Sequence, residues 1–281
     1  MNRAIGIGLT VALLAVPTVR AEEAVAISEA KTDANGFLVH EVRSPYQAKT
    51  TQIRVLLPDK MEKGKKHPVV YVLPVEAGTE SRYGDGLKEV QKLDLHNTLS
   101  AVFVAPTFSH LPWYADHPTK PEVRQETYFL KVVVPFIDKS YPVRAEAEGR
   151  LLLGFSKSGW GAWTLLLRNP NMFQKAAAWD APLMMDKPGK YGSGDIFGTA
   201  DNFEVYRVSK LLEDKADKFQ KGRRLILLGY GNFRAEHETA HAVMDKLKVA
   251  HEYRDGPARK HDWHGGWVEE AVERLVGKRS E

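Results

Sequence analysis

The sequence predicts an α/β fold built on a mostly parallel, doubly wound sheet with helices on both faces. From Val69 onward, strand-like apolar runs alternate with helix-like segments, and this order is typical of a parallel sheet. The later runs are continuous in Val, Leu, Ile and Ala, as expected for strands that helices cover on both sides. A chain of 281 residues, 43% of them hydrophobic, is long enough for one large core.

The predicted strands are short apolar runs bounded by turn residues. The two earliest alternate apolar with polar residues and predict a hairpin-type start to the sheet. The runs are Phe37–Val42, Gln52–Leu57, Val69–Leu73, Ala101–Ala105, Leu151–Phe155, Lys175–Trp179, Arg224–Leu228 and His251–Tyr253.

The predicted helices follow these strands. Pro135 falls inside one of them and should kink it or end its first half. The span Pro188–Asn202 has no predicted element, and it is interpreted as a lid that frames a pocket or as a mobile surface loop. The helices are Gly86–Leu93, Glu122–Asp138, Gly159–Arg168, Phe203–Asp214, Ala235–Lys248 and Trp267–Val276.

The first 21 residues have the pattern of an export signal. Asn2 and Arg3 give a positive start, Ala4–Val16 is apolar, and Val19-Arg20-Ala21 offers a small-residue cleavage site. The sequence therefore predicts a signal peptide at 1–21, a single domain at 22–281, and a periplasmic or secreted mature protein. The apolar run is too short to span a bilayer, and we expect no membrane contact after cleavage.

Composition excludes several classes of function. The net charge is +4, with acidic and basic residues mixed along the chain, and no basic arm is interleaved with aromatic residues, so we expect no nucleic-acid partner. The chain has no cysteine, which rules out disulfides, thiol nucleophiles and thiolate metal ligands. Composition leaves the oligomeric state open.

The most informative segment is Leu-Leu-Leu-Gly-Phe-Ser-Lys-Ser-Gly-Trp-Gly, residues 151–161. An apolar run stops at Ser156 between Gly154 and Gly159, and a helical pattern begins at once. Such a strand–turn–helix presents the serine hydroxyl at the end of a buried sheet, as a nucleophile requires. The usual second glycine is replaced by Ser158 and follows one place later. An ordinary buried strand with a loop is the alternative interpretation.

A serine hydroxyl needs a base to remove its proton. His261 lies in the loop between the last predicted strand and the last helix, where a serine hydrolase of this architecture carries its base. Six segments together resemble the Putative esterase family of α/β hydrolases, which includes feruloyl esterases and esterase D. They are Val70–Pro74, Glu126–Tyr128, Val134–Ile137, Tyr141–Val143, Gly154–Gly159 and Gly256–Trp263. The likeness extends over residues 37 to 276.

The resemblance implies an α/β-hydrolase fold and hydrolysis of a carboxylic ester through an acyl-enzyme, without cofactor or metal. It implies Ser156 as nucleophile, His261 as base, and the backbone N–H groups of Lys157 and Glu76 as oxyanion donors. The substrate would be a small-molecule ester, either linked to a carbohydrate or carrying a small acyl or aryl group.

The acid that completes the triad is open to more than one interpretation. The family places an aspartate after the strand that corresponds to Arg224–Leu228, but here that place holds Gly229-Tyr230-Gly231-Asn232. Asp180 directly follows another strand and is the preferred candidate, although it could serve only as a turn cap. Glu236 is the alternative acid, and its other interpretation is a first-turn glutamate facing the helix dipole.

A second motif suggests a different chemistry. His237-Glu238-Thr239-Ala240-His241 matches H-E-x-x-H, which predicts a zinc-dependent peptidase or amidase. Surface or boundary histidines are the favoured interpretation, because no extended zinc-protease pattern follows. A binding protein that kept the hydrolase architecture without activity is a further alternative.

Aromatic residues give a candidate substrate platform. Trp113 and Tyr114 lie in the loop after Ala101–Ala105, and they are predicted to flank the cleft for a sugar or aryl group. Packing in the core is the other interpretation of such residues.

Overall fold

The computed structural model describes residues 24–79 and 82–277, whose centre is a ten-stranded mixed sheet. The predicted signal peptide at 1–21 lies outside the described residues. That segment and the single domain at 22–281 therefore stay predictions. Within the described ranges, no helix combines the length and the apolar character needed to cross a bilayer.

The strands in the middle of the sheet are buried along nearly all of their length, as their continuous apolar runs predict, whereas the strands near its two edges are partly exposed. The strands are β1 (Ala26–Ile27), β2 (Lys31–Thr32), β3 (Leu38–Arg43), β4 (Thr51–Leu56), β5 (Val69–Val72), β6 (Val102–Pro106), β7 (Arg150–Phe155), β8 (Lys175–Trp179), β9 (Leu225–Tyr230) and β10 (His251–Ala258).

The order of the strands across the sheet is β1-β3-β4-β6-β5-β7-β8-β9-β10, and β2 also pairs with β3. From β6 to β10 all neighbours are parallel, whereas β1, β3 and β4 pair antiparallel. The predicted hairpin is the β3–β4 pair. Because the parallel strands all end at one edge, the loops after β5, β7, β8, β9 and β10 gather there.

The helices alternate with the strands and cover both faces of the sheet. They are α1 (Gly86–Lys92), α2 (Leu95–Thr98), α3 (Gln125–Tyr128), α4 (Val134–Ser140), α5 (Ser156–Arg168), α6 (Gly194–Phe197), α7 (Ala200–Tyr206), α8 (Val208–Lys215), α9 (Arg234–Lys246) and α10 (Val268–Val276).

Two apolar cores lie on opposite faces of the sheet. Tyr71 and Val104 point into the core packed by α3, α4, α5, α8 and α9. Val70 and Phe103 point into the other, packed by α1, α2 and α10. This alternation along single strands buries both faces, and the sheet is mostly parallel and doubly wound, as predicted.

Two predicted segments differ in detail from the structure. The predicted helix 122–138 consists of α3, a π-helical turn at Phe129–Val133, and α4, and Pro135 lies in the first turn of α4, where the hydrogen-bond spacing of the helix changes. The span 188–202 is not without structure, because it contains a 3₁₀ turn at Lys190–Gly192, α6 and the start of α7.

Candidate active site

The serine lies on a sharp turn between strand and helix. Strand β7 ends at Phe155 and α5 begins at Ser156, whose φ is +51°, a left-handed conformation that is strained for a residue with a side chain. A Cβ at Gly154 would overlap the carbonyl of Ser158, and one at Gly159 would come within 2.9 Å of the Ala181 Cβ. The two flanking glycines are therefore required for the close approach of this turn to its surroundings.

Ser158 occupies the place of the usual second glycine and closes the turn. The Phe155 N–H donates to its Oγ at 3.1 Å, and the Ser158 hydroxyl donates to the Phe155 carbonyl at 2.9 Å. Its side chain is fully buried. The departure from the usual glycine thus adds two hydrogen bonds that hold Ser156 in its strained conformation.

Asp180 follows β8 directly and has a φ of +41°. Its Oδ1 accepts the N–H groups of Asn232 at 2.6 Å and Phe233 at 2.8 Å, and its Oδ2 lies 2.6 Å from Nδ1 of His261. Burial opposes the charge of this carboxylate, but these bonds and the Gly231 N–H outweigh burial and lower the pKa of Asp180. Asp180 is therefore ionised at neutral pH.

His261 lies three residues after the end of β10, and its side chain is 18% exposed. The rings of Tyr83 and Phe155 contact its ring at centroid distances of 5.4 and 5.2 Å, both edge to face. With Nδ1–H donated to the carboxylate of Asp180, Nε2 is the nitrogen that carries a lone pair. The ring is thus oriented and its tautomer fixed, as a general base requires.

Ser156 and His261 line one cavity of about 680 Å³. Glu76 and Lys157, the residues of the two expected oxyanion donors, also line it. Burial lowers the pKa of the Lys157 ammonium, with a further lowering from the like charge of Arg82 and an opposing effect of Glu76. The predicted nucleophile, base and donor residues therefore border the same space.

The aromatic residues at this cavity are not the predicted ones. Trp113 and Tyr114 are fully buried, and the Tyr114 hydroxyl donates to the Pro74 carbonyl at 2.7 Å, so the platform expected from them is not formed. Sequence reasoning missed the residues that do line the cavity. The aromatic ones are Tyr83, Tyr191 and Phe233, and the aliphatic Leu111 also lines the cavity.

The alternative acid has a different partner. Glu236 lines the cavity, and its Oε2 accepts the Met184 N–H at 2.6 Å. The carboxylate that the structure places against His261 is that of Asp180.

The two histidines of the H-E-x-x-H motif have separate partners. His237 is buried, and its Nε2 accepts the Ala181 N–H at 2.9 Å. His241 Nδ1 lies 2.8 Å from Nε2 of His251 instead. The geometry expected for a zinc peptidase, with both motif histidines on one ion, is not the one found.

His237 predicts a pH-dependent stability. Burial lowers its pKa from 6.5 to about 4, against the raising effect of the Asp180 charge. Because the unfolded chain binds a proton below pH 6.5 and the folded chain does not, stability is lost as pH falls from 6.5 towards 4. The wild type should lose unfolding free energy between pH 7 and pH 4.5. In His237→Gln this loss should be smaller by about 2–3 kcal/mol.

Urea titrations at the two pH values measure this difference, with His110→Gln as the control because His110 is exposed. Identical pH dependence in wild type and His237→Gln would show that His237 titrates normally.

Sequence comparison finds a matching family model and a curated relative. The Putative esterase family model matches residues 44–267. Esterase Rv1288 of Mycobacterium tuberculosis is 28% identical over 138 residues, which cover 46% of this chain and 29% of that protein. The chain thus spans under a third of the length of this curated relative.

Solved structures share the fold. A ferulic acid esterase matches with a TM-score of 0.64 and 20% identity, over 90% of this chain and 96% of its own. An S-formylglutathione hydrolase from Agrobacterium tumefaciens matches with a TM-score of 0.69 and 15% identity, over 90% and 99%. At these identities the two structures establish the α/β hydrolase fold.

Proposed function

Because this chain belongs to the Putative esterase family, we propose that it is an exported serine esterase that hydrolyses carboxylic esters through an acyl-enzyme. Ser156 is the nucleophile, His261 the base and Asp180 the acid. The single observation that carries the proposal is the 2.6 Å bond from His261 Nδ1 to buried Asp180, beside a cavity that also contains Ser156. Export rests on the signal pattern at 1–21.

In the first half-reaction the Ser156 Oγ attacks the ester carbonyl while His261 Nε2 takes its proton. Asp180 stabilises the imidazolium without becoming protonated, since four groups already hydrogen-bond its charge. His261 then returns the proton to the departing alcohol, and the acyl group stays on Ser156. Water, deprotonated by His261, releases the acid in the second half-reaction.

The negative oxygen of the tetrahedral intermediate needs N–H donors. We assign the Lys157 N–H, at the first turn of α5, as one donor and the Glu76 N–H, in the loop after β5, as the other. Both residues border the cavity with Ser156. Leu73, Pro74 and Val75 precede Glu76, so the donor comes from the fourth residue of that loop.

The substrate that fits this cavity is an ester of an aromatic acid. Phe233 and Tyr191 pack edge to face at 5.4 Å, and Phe233 also contacts the ring of His261 at 5.8 Å, so an aryl acyl group would lie against them beside the base. Glu76, Arg82 and Glu236 give the same cavity polar groups for the hydroxyls of a sugar alcohol. The name of the ferulic acid esterase among the structural neighbours agrees with this class.

A pair of methyl esters tests the acyl preference, because both release methanol. We expect kcat/KM for methyl hydroxycinnamate to exceed that for methyl butyrate by about tenfold, since two aromatic contacts of about 0.5–1 kcal/mol each sum to about 1.4 kcal/mol. Phe233→Ala should abolish most of this preference while leaving methyl butyrate turnover within about twofold. Its backbone N–H to Asp180 is retained in the variant.

Val205→Ala, at an exposed apolar residue, is the control and should keep the preference. Equal kcat/KM for the two esters in the wild type would contradict the aromatic assignment, while hydrolysis of either ester would still agree with esterase activity.

A further inference from the structure

A cluster of His241, Asp245 and His251 lies apart from the catalytic cavity. His241 and Asp245 are four residues apart on α9, and His251 begins β10, which runs beside α9. One ligand atom from each of the three lies within 4.8 Å of the others. None of them borders the cavity that contains Ser156. The cluster therefore has no part in the proposed hydrolysis.

The donor atoms suit a transition-metal ion. His241 Nδ1 is 2.8 Å from His251 Nε2, and Asp245 Oδ1 is 3.9 Å from the same His251 nitrogen. Two imidazole nitrogens with one carboxylate favour zinc or its neighbours in the first transition row over magnesium or calcium, which prefer oxygen ligands alone. Three protein ligands would leave a fourth tetrahedral position for water.

The surroundings of His251 orient its ring for ligation. Its Nδ1 lies 2.8 Å from the Val249 carbonyl, so Nδ1–H is donated there and Nε2 carries the lone pair. Metal-bound histidines commonly donate their second nitrogen to a backbone carbonyl in this way. The side chain is 5% exposed, so this orientation is held within the protein.

His241 is placed to adjust to an ion. Its ring stacks on Tyr253 at 4.0 Å, while its side chain is 34% exposed. On one tetrahedral ion the two imidazole nitrogens would stand about 3.3 Å apart, which requires a small widening of the present 2.8 Å. Because the His241 ring is partly exposed and is stacked on one side only, it can make that shift by sliding over Tyr253.

We propose that His241, Asp245 and His251 form a zinc-binding site that ties α9 to β10. The N–H groups of Asn232 and Phe233 that hold Asp180 come just before α9, and His261 comes just after β10. An ion here would therefore join the helix that follows the N–H donors of Asp180 to the strand that precedes His261. Only the second histidine of the H-E-x-x-H motif takes part.

Zinc titration of the full chain, without a histidine tag and after removal of metal by a chelator, tests the site. We expect calorimetry at pH 7.5 to give one equivalent of bound zinc, with His241→Ala weakening binding at least about 100-fold and Asp245→Asn about tenfold. Glu238→Gln, the matched control inside the motif, should bind as the wild type does. Magnesium and calcium should give no binding heat.

Thermal unfolding provides a second readout. Zinc should raise the Tm of the wild type and not that of His241→Ala, because ligands that bind only the folded state stabilise it. His241 is partly exposed, so its alanine variant should fold, and its unfolding curve without zinc checks this. Zinc bound equally well by His241→Ala, or no wild-type binding below about 1 mM, would overturn the site.

Discussion

Replacing Ser156 by alanine is expected to lower kcat for ester hydrolysis by about 10⁴–10⁶-fold. The variant keeps the Cβ and removes only the hydroxyl, so the turn at φ +51° and its two bonds to Ser158 should be unchanged. What is lost is the nucleophile, and with it the acyl-enzyme. The oxyanion donors and the substrate-binding surface remain and account for any residual rate.

Steady-state hydrolysis of p-nitrophenyl acetate measures this effect, with circular dichroism to show that the variant is folded. Ser209→Ala is the matched control, because Ser209 lies on α8 and only accepts a bond from Arg207. A folded Ser156→Ala variant that retains more than about 10% of kcat would remove Ser156 from the mechanism.

Asp180→Asn is expected to lower kcat by about 10³–10⁴-fold with little change in KM. The amide oxygen can still accept the N–H groups of Asn232 and Phe233, but the amide NH₂ then faces Nδ1 of His261. Nδ1 must become the acceptor and the proton moves to Nε2, which can no longer take a proton from Ser156. The loss comes from the wrong tautomer more than from a change of shape.

Two further variants make the test specific. Asp186→Asn changes an exposed acid six residues away and should retain wild-type kcat. Glu236→Gln changes the alternative acid and should cost less than Asp180→Asn, since Glu236 bonds to Met184. A larger loss from Glu236→Gln than from Asp180→Asn would contradict the assignment of the acid.

The sheet was predictable because its strands carry their own signal. Continuous runs such as 151–155 and 175–179 are buried on both faces. Each predicted strand is found to within two residues except where β10 extends to Ala258, whereas the two short strands β1 and β2 were not predicted. The position of Asp180 could also be predicted, because it directly follows a predicted strand and the ends of parallel strands meet at one edge. The hydrogen bonds of Asp180 to Asn232 and Phe233 could not be predicted from the sequence, since they depend on how β8 and β9 pair.

The lining of the cavity could not be predicted, because burial of an aromatic side chain depends on neighbours that are distant in sequence. Tyr114 packs where Gly161 has no side chain, an arrangement that the local sequence of the 113–114 loop does not indicate. Phe233 and Tyr191 come from separate loops that meet only in the fold. Likewise, H-E-x-x-H spacing places His237 and His241 on one helix without indicating that His237 bonds to Ala181.

The central claim is that His261 activates the hydroxyl of Ser156, and labelling with a fluorophosphonate probe tests it most directly. Ser156 is the sole serine of the tryptic peptide 151–157, so mass spectrometry locates the adduct without ambiguity. We predict one adduct on that peptide, none in Ser156→Ala, and much slower labelling in His261→Ala. Labelling that persists in Ser156→Ala, or proceeds at the wild-type rate in His261→Ala, would contradict the account.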